Sequence, residues 1–561
     1  MAMRTNIKTD TRWVVSDIQP VPEELAGFDF VTAQLLLQRQ INTKVGAEEF
    51  LRPDLANLGD LHQLADLDRA VERIKQAITQ KQVIVVYGDY DVDGVTSATL
   101  LSNVLKELGA TVSVYLPERL TEGYGLNSEA IRQLKTDGTD LIITVDNGTT
   151  NVTEIALANS LGLEVIVVDH HQVPAELPPA YALINPKRAD DKYPFKDAAA
   201  VGVTYYLAKA LIGDGANKYL DLVALGTVAD VVPLVGDNRA MVVAGLRQMN
   251  EKTRPGIAVL KEVAGLKDQA LDVYHIGFQL GPRLNAAGRI DHARIAFDLL
   301  NAESEEIARP LAQELDALNT RRQEMTDRIL EETKTQATES QDKIIIVGGP
   351  DWSIGVVGIV AGRLVEEFFK PALVFEYQDE MYKGSGRSVE GVHLVDLLGK
   401  VGHLIDHFGG HAKAAGLSVT KDNFEKFRTE LIKIANTEID SALLTASLRV
   451  DVLLQINHVT PKLMATIEAF APFGFGNVTP VFGVMDAELT GEMPGMNGVF
   501  LDLFFKDESG RSLVVKVFGD WTALSLRLTQ GAHYDIAFTM ATREWNGRKF
   551  MQQKLVGIRS A

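Results

Sequence analysis

From about residue 78 to residue 300, short apolar runs alternate with segments of helical periodicity. This alternation is typical of a mostly parallel β-sheet whose strands are joined by helices. After the first run, apolar residues at helical spacing continue to Leu108 and predict a helix that Thr96 and Ser97 cap. The most informative strands are predicted at Val83–Tyr87, Leu141–Val145 and Val165–Val168.

Two further patterns follow. Between about residues 304 and 337, apolar residues recur at spacings of three, four and seven in a charged stretch, which predicts a long amphipathic helix. A second α/β segment begins with a strand at Lys343. Its remaining predicted elements are a helix over Ile354–Phe369, a strand over Ala372–Phe375 and a glycine-rich loop over Lys383–Ser388.

The C-terminal part changes to an all-β pattern. Runs over Val481–Val484, Val499–Phe505, Leu513–Val517 and Tyr534–Met540 alternate with Gly, Asn and Asp turns, which suits a small barrel of about five strands. A chain of 561 residues is also longer than one core usually supports. We therefore predict an α/β fold class, with two α/β domains joined by a long helix and followed by an all-β barrel. The predicted boundaries are an N-terminal segment 1–77, a first domain 78–303, a connecting helix 304–338, a second domain 339–445 and the barrel 446–561.

The composition favours a cytoplasmic protein without a membrane anchor. The chain contains no cysteine, which excludes disulfides, zinc-thiolate sites, iron–sulfur clusters and thiol nucleophiles and suits a reducing compartment. Residues 1–19 lack the apolar core of a signal peptide, and no apolar stretch reaches the roughly 18 residues of a membrane span. The net charge is −19, but residues 446–561 carry 11 Lys and Arg against 11 Asp and Glu. That neutral part can still meet a polyanion, so net charge does not decide the partner.

Each of the three predicted strands ends at carboxylates. Asp89, Asp91 and Asp93 follow the first strand, Asp146 follows the second, and Asp169, His170 and His171 follow the third. In open α/β sheets ligands bind beyond the carboxyl ends of the strands, so these side chains are expected to converge. Each motif alone could be a solvated turn, and the adjacent histidines could be one buried and one exposed residue. Together they predict a metal site, in which one imidazole binds metal, the other reaches substrate and Asp169 orients a ring.

The expected ligand set is rich in oxygen, contains one or two imidazoles and has no sulfur, which favours Mn²⁺ or Mg²⁺ over zinc. With this many carboxylates, two ions about 3.5–4 Å apart fit the predicted site. Such a pair activates water and stabilises an in-line displacement at phosphorus. The sequence therefore indicates a phosphoester hydrolase.

The acidic motifs resemble those of a known family. GDYDVDGVTS at residues 88–97, TVDNG at 144–148, VVDHH at 167–171 and ALGTVADVVPL at 224–234 resemble the four motifs of the DHH phosphoesterase superfamily. GPRLNAAGR at residues 281–289 is similar to a signature of its RecJ branch. Residues 352–363, the GSGRS segment and FGGHAKAAG at 408–416 resemble a DHHA1 domain. The all-β part, which opens with APFGFGN at residues 471–477, resembles the RecJ oligonucleotide-binding (OB) fold.

The resemblance implies a ligand set. One metal would lie on Asp91 and Asp146, and the other on Asp93, Asp146, His170 and Asp230; from the sequence alone, Asp230 could instead be an ordinary aspartate at a helix end. Many relatives have a histidine at the position of Tyr87, so the extra ligand of the first ion is open and Asp89 is the nearest candidate. His171 would approach the scissile phosphate, which makes His171, Asp93 and Asp146 the expected catalytic residues.

Substrate binding requires cations that the acidic cluster cannot provide. Ser385 and Arg387 could hold a phosphate with a hydroxyl and a guanidinium fork, and the resemblance makes them the pocket for a 5′ phosphate. The other candidates for substrate binding are Arg283, Arg289, Arg119, His411 and Trp545. Trp545 is expected in an exposed turn where a base could stack on it. The alternatives are salt bridges to the surplus acids for the arginines and a core position for His411.

The resemblance implies a Mn²⁺- or Mg²⁺-dependent exonuclease that degrades single-stranded DNA from the 5′ end to mononucleotides in recombination and repair. It implies a monomer that works without a membrane, with a helicase and a single-strand-binding protein as partners. Two alternatives stay open: a phosphodiesterase of the same superfamily that acts on cyclic dinucleotides or short RNA, and a non-catalytic repair scaffold. Such phosphodiesterases generally end after the second domain, and degenerate relatives typically lose metal ligands.

Overall fold

A computed structural model describes residues 8–9, 11–119, 121–339, 341–495, 498–545 and 548–561 of the chain. These residues form two compact units. Unit 1 comprises the residues up to Pro53 together with Thr445–Phe473 and Asn477–Ala561. Unit 2 comprises Asp54–Leu444 and the short segment Gly474–Gly476. Within the described ranges, no helix has both the length and the apolar character that a bilayer crossing demands.

The first sheet of unit 2 is parallel throughout. Its five strands lie in the order Thr111–Tyr115, Val83–Tyr87, Leu141–Val145, Glu164–Val168 and Ala182–Ile184. The three predicted strands are confirmed, the third beginning one residue earlier than expected. Tyr87 is paired with Thr144, and Thr144 with Val167, so the three strands end at nearly the same level. The residues that follow them therefore emerge side by side at one edge of the sheet.

Helices cover both faces of the first sheet, which explains why its central strands are apolar along their whole length. The α-helices of this part are Leu67–Thr79, Val92–Glu107, Ser128–Thr136, Val152–Ser160, Ala200–Ile212, Leu220–Ala229, Gly236–Glu251, Pro255–Val263, Val273–His275, Gly281–Ile290 and Arg294–Leu300. A π-helical turn, Ile276–Leu280, precedes the helix that begins at Gly281.

The predicted start of the helix after the first strand is wrong. The helix begins at Val92, and its N-cap is Asp91, whose carboxylate accepts a hydrogen bond from the Gly94 amide at 3.1 Å. Thr96 and Ser97 lie inside the helix and are buried, and the Thr96 hydroxyl donates to the Val92 carbonyl at 2.7 Å. The cap is therefore one of the acidic residues themselves, since an aspartate caps a helix as well as a serine or threonine does.

The predicted connecting helix is present as Glu305–Glu339. Its buried residues face two different cores in turn. Ala308, Ala312 and Leu315 pack into the core of the first sheet, whereas Ile329, Leu330 and Ala337 pack into a core with the second α/β sheet. One helix thus joins the two α/β parts within unit 2.

The second sheet of unit 2 has the strand order His407–His411, Ala414–Thr420, Met381–Arg387, Ala372–Gln378 and Ile345–Pro350. The last two strands are parallel, and the other neighbours are antiparallel. Its helices are Ile354–Phe368, Leu394–Lys400 and Lys421–Glu438.

The segment Lys383–Ser388 was predicted to be a loop, and this is wrong for all but its last residue. It lies in the strand that ends at Arg387. A Cβ atom at Gly384 would overlap the ring of Phe375, and one at Gly386 would lie 2.5 Å from Leu373. The glycines therefore mark close packing inside a strand and not a change of direction.

Unit 1 contains a closed ring of five paired strands. In ring order they are Phe482–Pro494, Phe500–Lys506, Ser512–Phe518, Arg548–Ser560 and His533–Trp545, and the last pairs with the first. Four of these correspond to predicted runs, whereas the strand at Arg548 was not predicted. Val452–Leu453 and Lys8–Thr9 extend the ring, and Arg12–Val15 pairs separately with Ser447–Val450. The helices are Phe30–Gln38, Lys44–Leu51, Pro461–Phe470 and Thr522–Ser525.

Candidate active site

The side chains that follow the strands of the first sheet meet at one edge of that sheet. Three groups have ligand atoms that all lie within 4.8 Å of one another: Asp89, Asp91 and Asp146; Asp146, His170 and His171; and Asp93, His170 and Asp230. Asp146 and His170 each belong to two of these groups, so the three groups form one continuous cluster. We refer to these seven residues as the acidic cluster.

Two of the carboxylates are fixed by the first turns of helices. Asp91 caps the helix that follows the first strand. Asp93 lies in the first turn of the same helix, and its two oxygens accept hydrogen bonds from the amides of Ala200 and Val201 at 2.7 and 2.9 Å. Those amides belong to the first turn of a second helix, whose positive dipole end favours a carboxylate. The short side chains are therefore held firmly, with their remaining lone pairs directed into the cluster.

Asp146 adopts an unusual backbone conformation, with φ of +64°. This left-handed region is uncommon for residues other than glycine, although aspartate enters it more readily than most. The turn is supported on both sides, because the Asp146 amide donates to the Val168 carbonyl at 3.0 Å and Tyr124 donates to the Asp146 carbonyl at 3.1 Å. The conformation directs the carboxylate toward both histidines instead of along the strand.

The residues of the cluster fit a divalent metal. Oδ1 of Asp89, Oδ2 of Asp230 and both ring nitrogens of His170 are buried and have no hydrogen-bond partner. His170 Nε2 lies 3.4 Å from Asp146 Oδ1 and 3.7 Å from Asp230 Oδ2, which is too far for strong hydrogen bonds. Buried polar atoms without partners are rare in native proteins and call for an explanation. Carboxylate oxygens with one or two imidazoles form a donor set that suits Mn²⁺ or Mg²⁺.

The electrostatics of the cluster agree with this donor set. Burial and the neighbouring carboxylates raise the pKa of Asp89, Asp146 and Asp230 well above the usual range and raise that of Asp93 to about 7. Burial and the adjacent His171 lower the pKa of His170 to about 3, so this imidazole stays neutral and keeps a lone pair for a metal. Several carboxylates this close repel one another unless a cation or protons compensate the charge.

His171 differs from its neighbour in its surroundings. Its Nδ1 lies 2.8 Å from Asp169 Oδ1, and 42% of its side chain is exposed. Asp169 is buried and also accepts hydrogen bonds from the amides of Thr149 and His170 at 3.0 and 2.7 Å. Burial alone would lower the pKa of His171. The hydrogen bond to Asp169 and the nearby negative charges outweigh burial, so the pKa of His171 lies above its usual value. Asp169 therefore favours the protonated form of His171, whose ring is partly exposed at the cluster.

Tyr87, which stands where many relatives have a histidine, does not point into the cluster. Its ring is buried and stacked on Tyr115 with centroids 4.8 Å apart, and its hydroxyl donates to the Gly125 carbonyl at 3.2 Å. Asp89 instead lies in the group with Asp91 and Asp146. The structure thus brings Asp89, and not Tyr87, into the acidic cluster.

Arg119, Arg289 and Arg387 lie within electrostatic range of one another beside the acidic cluster. Burial lowers the pKa of Arg289 to about 10, and the charges of Arg119, Arg322 and Arg387 contribute to this decrease. Burial and Arg119 likewise lower the pKa of Arg387. The Arg119 guanidinium lies 5.0 Å from the ring centroid of Tyr90, the residue between two of the clustered aspartates. Mutually repelling guanidinium groups in partly buried positions form a site suited to an anion.

Ser385 and Arg387 belong to this arginine group through the second sheet. Arg387 Nη1 donates to Ser385 Oγ at 3.1 Å, and Arg289 Nη1 donates to the Gly355 carbonyl at 3.0 Å. A Cβ atom at Gly358 would lie 2.9 Å from Ser385 Oγ and 3.3 Å from Arg387 Nη2. The glycine at position 358, in the helix Ile354–Phe368, therefore leaves space for Ser385 and Arg387.

Two predicted substrate residues, Arg283 and His411, have other surroundings, and the structure does not describe the side chain of a third. Arg283 forms an ion pair with Asp316 at 2.8 Å and donates to the Gln279 carbonyl at 2.8 Å, which is the alternative considered for the arginines. His411 is exposed at the end of an edge strand, and its Nδ1 accepts a hydrogen bond from the Lys413 amide at 3.3 Å. Trp545 ends a strand of the ring, and its side chain lies outside the part of the chain that the structure describes.

Two residues of the site were not identified from the sequence. Tyr124 lies with its hydroxyl 3.1 Å from His171 Nδ1. It stands between Gly123 and Gly125, which both have φ of +83°, so the Gly-Tyr-Gly turn was the available signal. Asn285 accepts a hydrogen bond from the Val92 amide at 3.2 Å and so ties the segment 281–289 to the acidic turn.

Comparison with family models identifies three regions of the chain. Residues 83–227 match the DHH family, N-terminal domain. Residues 341–437 match the DHHA1 domain, and residues 450–556 match the RecJ OB domain.

Curated relatives match over most of the chain. The single-stranded-DNA-specific exonuclease RecJ of Bacillus subtilis is 37% identical over 526 residues, which is 92% of this chain and 66% of that protein. The chain thus spans just under two thirds of that relative's length. The protein of the same name from Salmonella typhimurium is 39% identical over 448 residues, which is 75% of this chain and 78% of that protein.

Solved structures agree with these matches. The crystal structure of RecJ in complex with Mn²⁺ from Thermus thermophilus superposes with a TM-score of 0.84 at 28% identity, covering 98% of this chain and 80% of that one. A structure of exonuclease RecJ bound to manganese superposes with a TM-score of 0.61 at 33% identity, covering 68% of this chain and 98% of that one.

Proposed function

Because this chain belongs to the RecJ family, we propose that it is a metal-dependent exonuclease that degrades single-stranded DNA. It removes nucleotides from the 5′ end, releases 5′-mononucleotides and acts in DNA recombination and repair. The observation that carries the proposal is the acidic cluster, with its unpartnered buried ligand atoms, beside a group of arginines that suits a phosphate. Hydrolysis of a phosphodiester strand requires metal ligands at the scissile phosphate and cationic groups that bind the rest of the anionic substrate.

The acidic cluster would hold two Mn²⁺ or Mg²⁺ ions. One would be held by Asp91 and Asp146, with Asp89 in place of the absent histidine, and the other would be held by Asp93, Asp146, His170 and Asp230. When bound, the ions activate water and neutralise charge on the phosphate during an in-line displacement. His171, oriented by Asp169, donates a hydrogen bond to a phosphate oxygen on the open side of the cluster.

The arginine group gives the reaction its direction. Arg119, Arg289 and Arg387, together with Ser385, receive the terminal 5′ phosphate. The next phosphate along the strand then lies at the acidic cluster, where water attacks phosphorus and the bond to the 3′ oxygen of the first nucleotide breaks. A 5′-mononucleotide leaves, and the shortened strand again carries a 5′ phosphate that the arginines can bind.

The rest of the chain supports this reaction. Residues 78–303 form the catalytic DHH domain, 304–338 the connecting helix, 339–445 the DHHA1 domain and 446–561 an OB-type domain that binds single-stranded DNA, with Trp545 as a stacking residue. His411 and Arg283 belong to a wider binding surface for the strand. The protein acts in the cytoplasm as a monomer, together with a helicase and a single-strand-binding protein.

The two alternatives lack a supporting observation. Phosphodiesterases of cyclic dinucleotides generally end after the second domain, whereas this chain continues into the five-strand ring at residues 482–560. A non-catalytic scaffold would be expected to have lost ligands, and the acidic cluster retains each of its carboxylates.

Asp91→Ala tests the proposal. Loss of a metal ligand removes several kcal/mol of transition-state stabilisation, which corresponds to a decrease of about 10²–10⁴-fold in the rate of nucleotide release. Binding of single-stranded DNA, measured by fluorescence anisotropy, should stay close to that of the unchanged protein. Asp298→Ala, which removes an exposed acid paired with Arg294, serves as the control. Unchanged cleavage by Asp91→Ala would contradict the assignment of the site.

A further inference from the structure

The APFGFGN segment at residues 471–477 has a feature that single-strand binding does not explain. Three of its residues, Gly474–Gly476, belong to unit 2, although both flanking segments belong to unit 1. They lie against Pro233 and Leu234, which follow Asp230 by three and four residues. The Leu234 amide donates a hydrogen bond to the Phe475 carbonyl at 2.8 Å.

The two glycines of this segment are required by the contact. Gly476 has φ of +73°, and a Cβ atom there would lie 2.7 Å from Pro233 Cβ and 3.0 Å from Pro233 Cα. The proline ring and main chain cannot move aside as a flexible side chain can. A Cβ atom at Gly474 would lie 2.6 Å from Leu234 Cδ1, the end of a side chain that can rotate. Substitution at Gly476 should therefore disturb the contact more than substitution at Gly474.

The turn that this segment contacts is strained. Val231, directly after Asp230, has φ of +63°, a conformation that is an outlier for a β-branched residue. Its side chain is 61% exposed, so its own packing does little to hold the turn. Such a conformation persists only where the surroundings impose it. Two hydrogen bonds fix the far side of the turn. Asn238 Nδ2 donates to the Pro233 carbonyl at 3.0 Å, and the Leu234 amide donates to the Phe475 carbonyl.

Asp230 depends on the same turn. It follows the last residue of the helix Leu220–Ala229, and its amide donates to the Gly226 carbonyl at 2.9 Å. Its Oδ2 is buried without a partner, 3.7 Å from His170 Nε2. The helix fixes the main chain before Asp230, whereas the main chain after it is fixed through the strained turn.

We propose that Gly474–Gly476 position Asp230 for metal binding. By holding the exit of the turn, they keep the Asp230 carboxylate directed at His170, so a segment of unit 2 that is distant in sequence supports the metal site. The inference rests on the proposed function insofar as Asp230 is taken to be a metal ligand. The glycines are positioning residues and do not contact the metal.

The test is a Mn²⁺ titration of the full-length chain stripped of metal, followed by electron paramagnetic resonance of free and bound Mn²⁺. Gly476→Ala is compared with Gly474→Ala and with Asp230→Asn. Gly510→Ala is the matched control, because Gly510 has a similar φ of +79° but no atom within 4 Å of the added Cβ. The melting temperature of each metal-free variant is measured in parallel, since a purely structural role would change only that value.

We expect Asp230→Asn to lower the affinity for one of two bound ions. Gly476→Ala should lower the affinity for the same ion by roughly 10- to 100-fold, the usual effect of losing a residue that orients a ligand. Gly474→Ala should have a smaller effect in the same direction, and Gly510→Ala should bind Mn²⁺ as the unchanged protein does. Unchanged Mn²⁺ affinity in a folded Gly476→Ala variant would overturn the inference. If that variant does not fold, unchanged affinity in Gly474→Ala would overturn it. Unchanged affinity in Asp230→Asn would instead remove Asp230 from the ligand set of the proposed function, and the inference would fall with it.

Discussion

Nδ1 of His171 lies 2.8 Å from Oδ1 of Asp169, a buried carboxylate that also accepts three main-chain hydrogen bonds. The pair engages Nδ1 and favours the protonated ring. Nε2, which lies 3.4 Å from the Tyr124 hydroxyl, is the nitrogen that we expect to serve a phosphate. Since Asp169 lies outside the three groups of the acidic cluster, we expect it to act on catalysis through His171.

Asp169→Asn should therefore lower kcat by about 10- to 100-fold. The amide cannot carry the negative charge that raises the pKa of His171, so the imidazole loses its proton at lower pH and the alkaline limb of the kcat profile moves to lower pH. The measurement is the pH dependence of kcat, with the His171 titration followed by NMR. Asp190→Asn, at an exposed acid paired with Arg188, is the control. A kcat within twofold of the unchanged enzyme across the profile would refute this role.

The arginine group predicts a dependence on the 5′ end of the substrate. Arg387→Ala should raise KM for a 5′-phosphorylated strand by about 10- to 100-fold, because a hydrogen bond between charged groups contributes about 1.5–3 kcal/mol. It should have little effect on a 5′-hydroxyl strand. Arg283→Ala should leave the ratio of the two KM values unchanged, since Arg283 is paired with Asp316. If Arg283→Ala instead abolished the difference in KM between the two strands and Arg387→Ala preserved it, the 5′ phosphate would bind elsewhere.

The acidic cluster also predicts how stability depends on pH and metal. The pKa values of Asp89, Asp146 and Asp230 are raised in the folded state, and that of Asp93 rises from its ordinary value of 3.8 to about 7. Without metal, the folded chain holds protons that the unfolded chain releases, so its free energy of unfolding should fall as pH rises from about 4 to about 7.

Bound Mn²⁺ should reverse this trend, because metal binds the deprotonated carboxylates and its affinity increases with pH. Melting temperatures with EDTA and with Mn²⁺ at pH 5, 6, 7 and 8 measure both effects. We expect the stabilisation by Mn²⁺ to grow across this series and to be smaller in Asp93→Asn. Equal stabilisation at pH 5 and pH 8 would mean that the ion does not bind at these carboxylates.

The sequence predicted the parts of the structure that depend on local pattern. The strands of the first sheet are apolar along their length and end at acids, so both their bounds and the convergence of Asp89, Asp146 and His170 could be inferred. The long helix was likewise visible in its spacing.

Other features depend on contacts that no local pattern contains. A glycine-rich sequence is compatible with a turn and with a tightly packed strand. The sequence therefore predicts a loop at Gly384 and Gly386, where the structure has a strand. Arg12–Val15 pairs with Ser447–Val450, which is distant in sequence. Arg283 and Arg289 belong to one motif, yet Arg283 is paired with Asp316 and Arg289 lies near Arg119 and Arg387, a difference set by the elements packed against each.

The most direct test of the account follows the two ends of one DNA strand. A single strand labelled at its 5′ phosphate in one preparation and at its 3′ end in another is incubated with the protein and Mn²⁺, and the products are resolved over time. We predict that the 5′ label appears as a mononucleotide at the earliest times, while the 3′ label stays in a series of progressively shorter strands. Loss of the 3′ label as mononucleotide, while the 5′ label stays in long products, would contradict the proposed direction and the role of the arginine group.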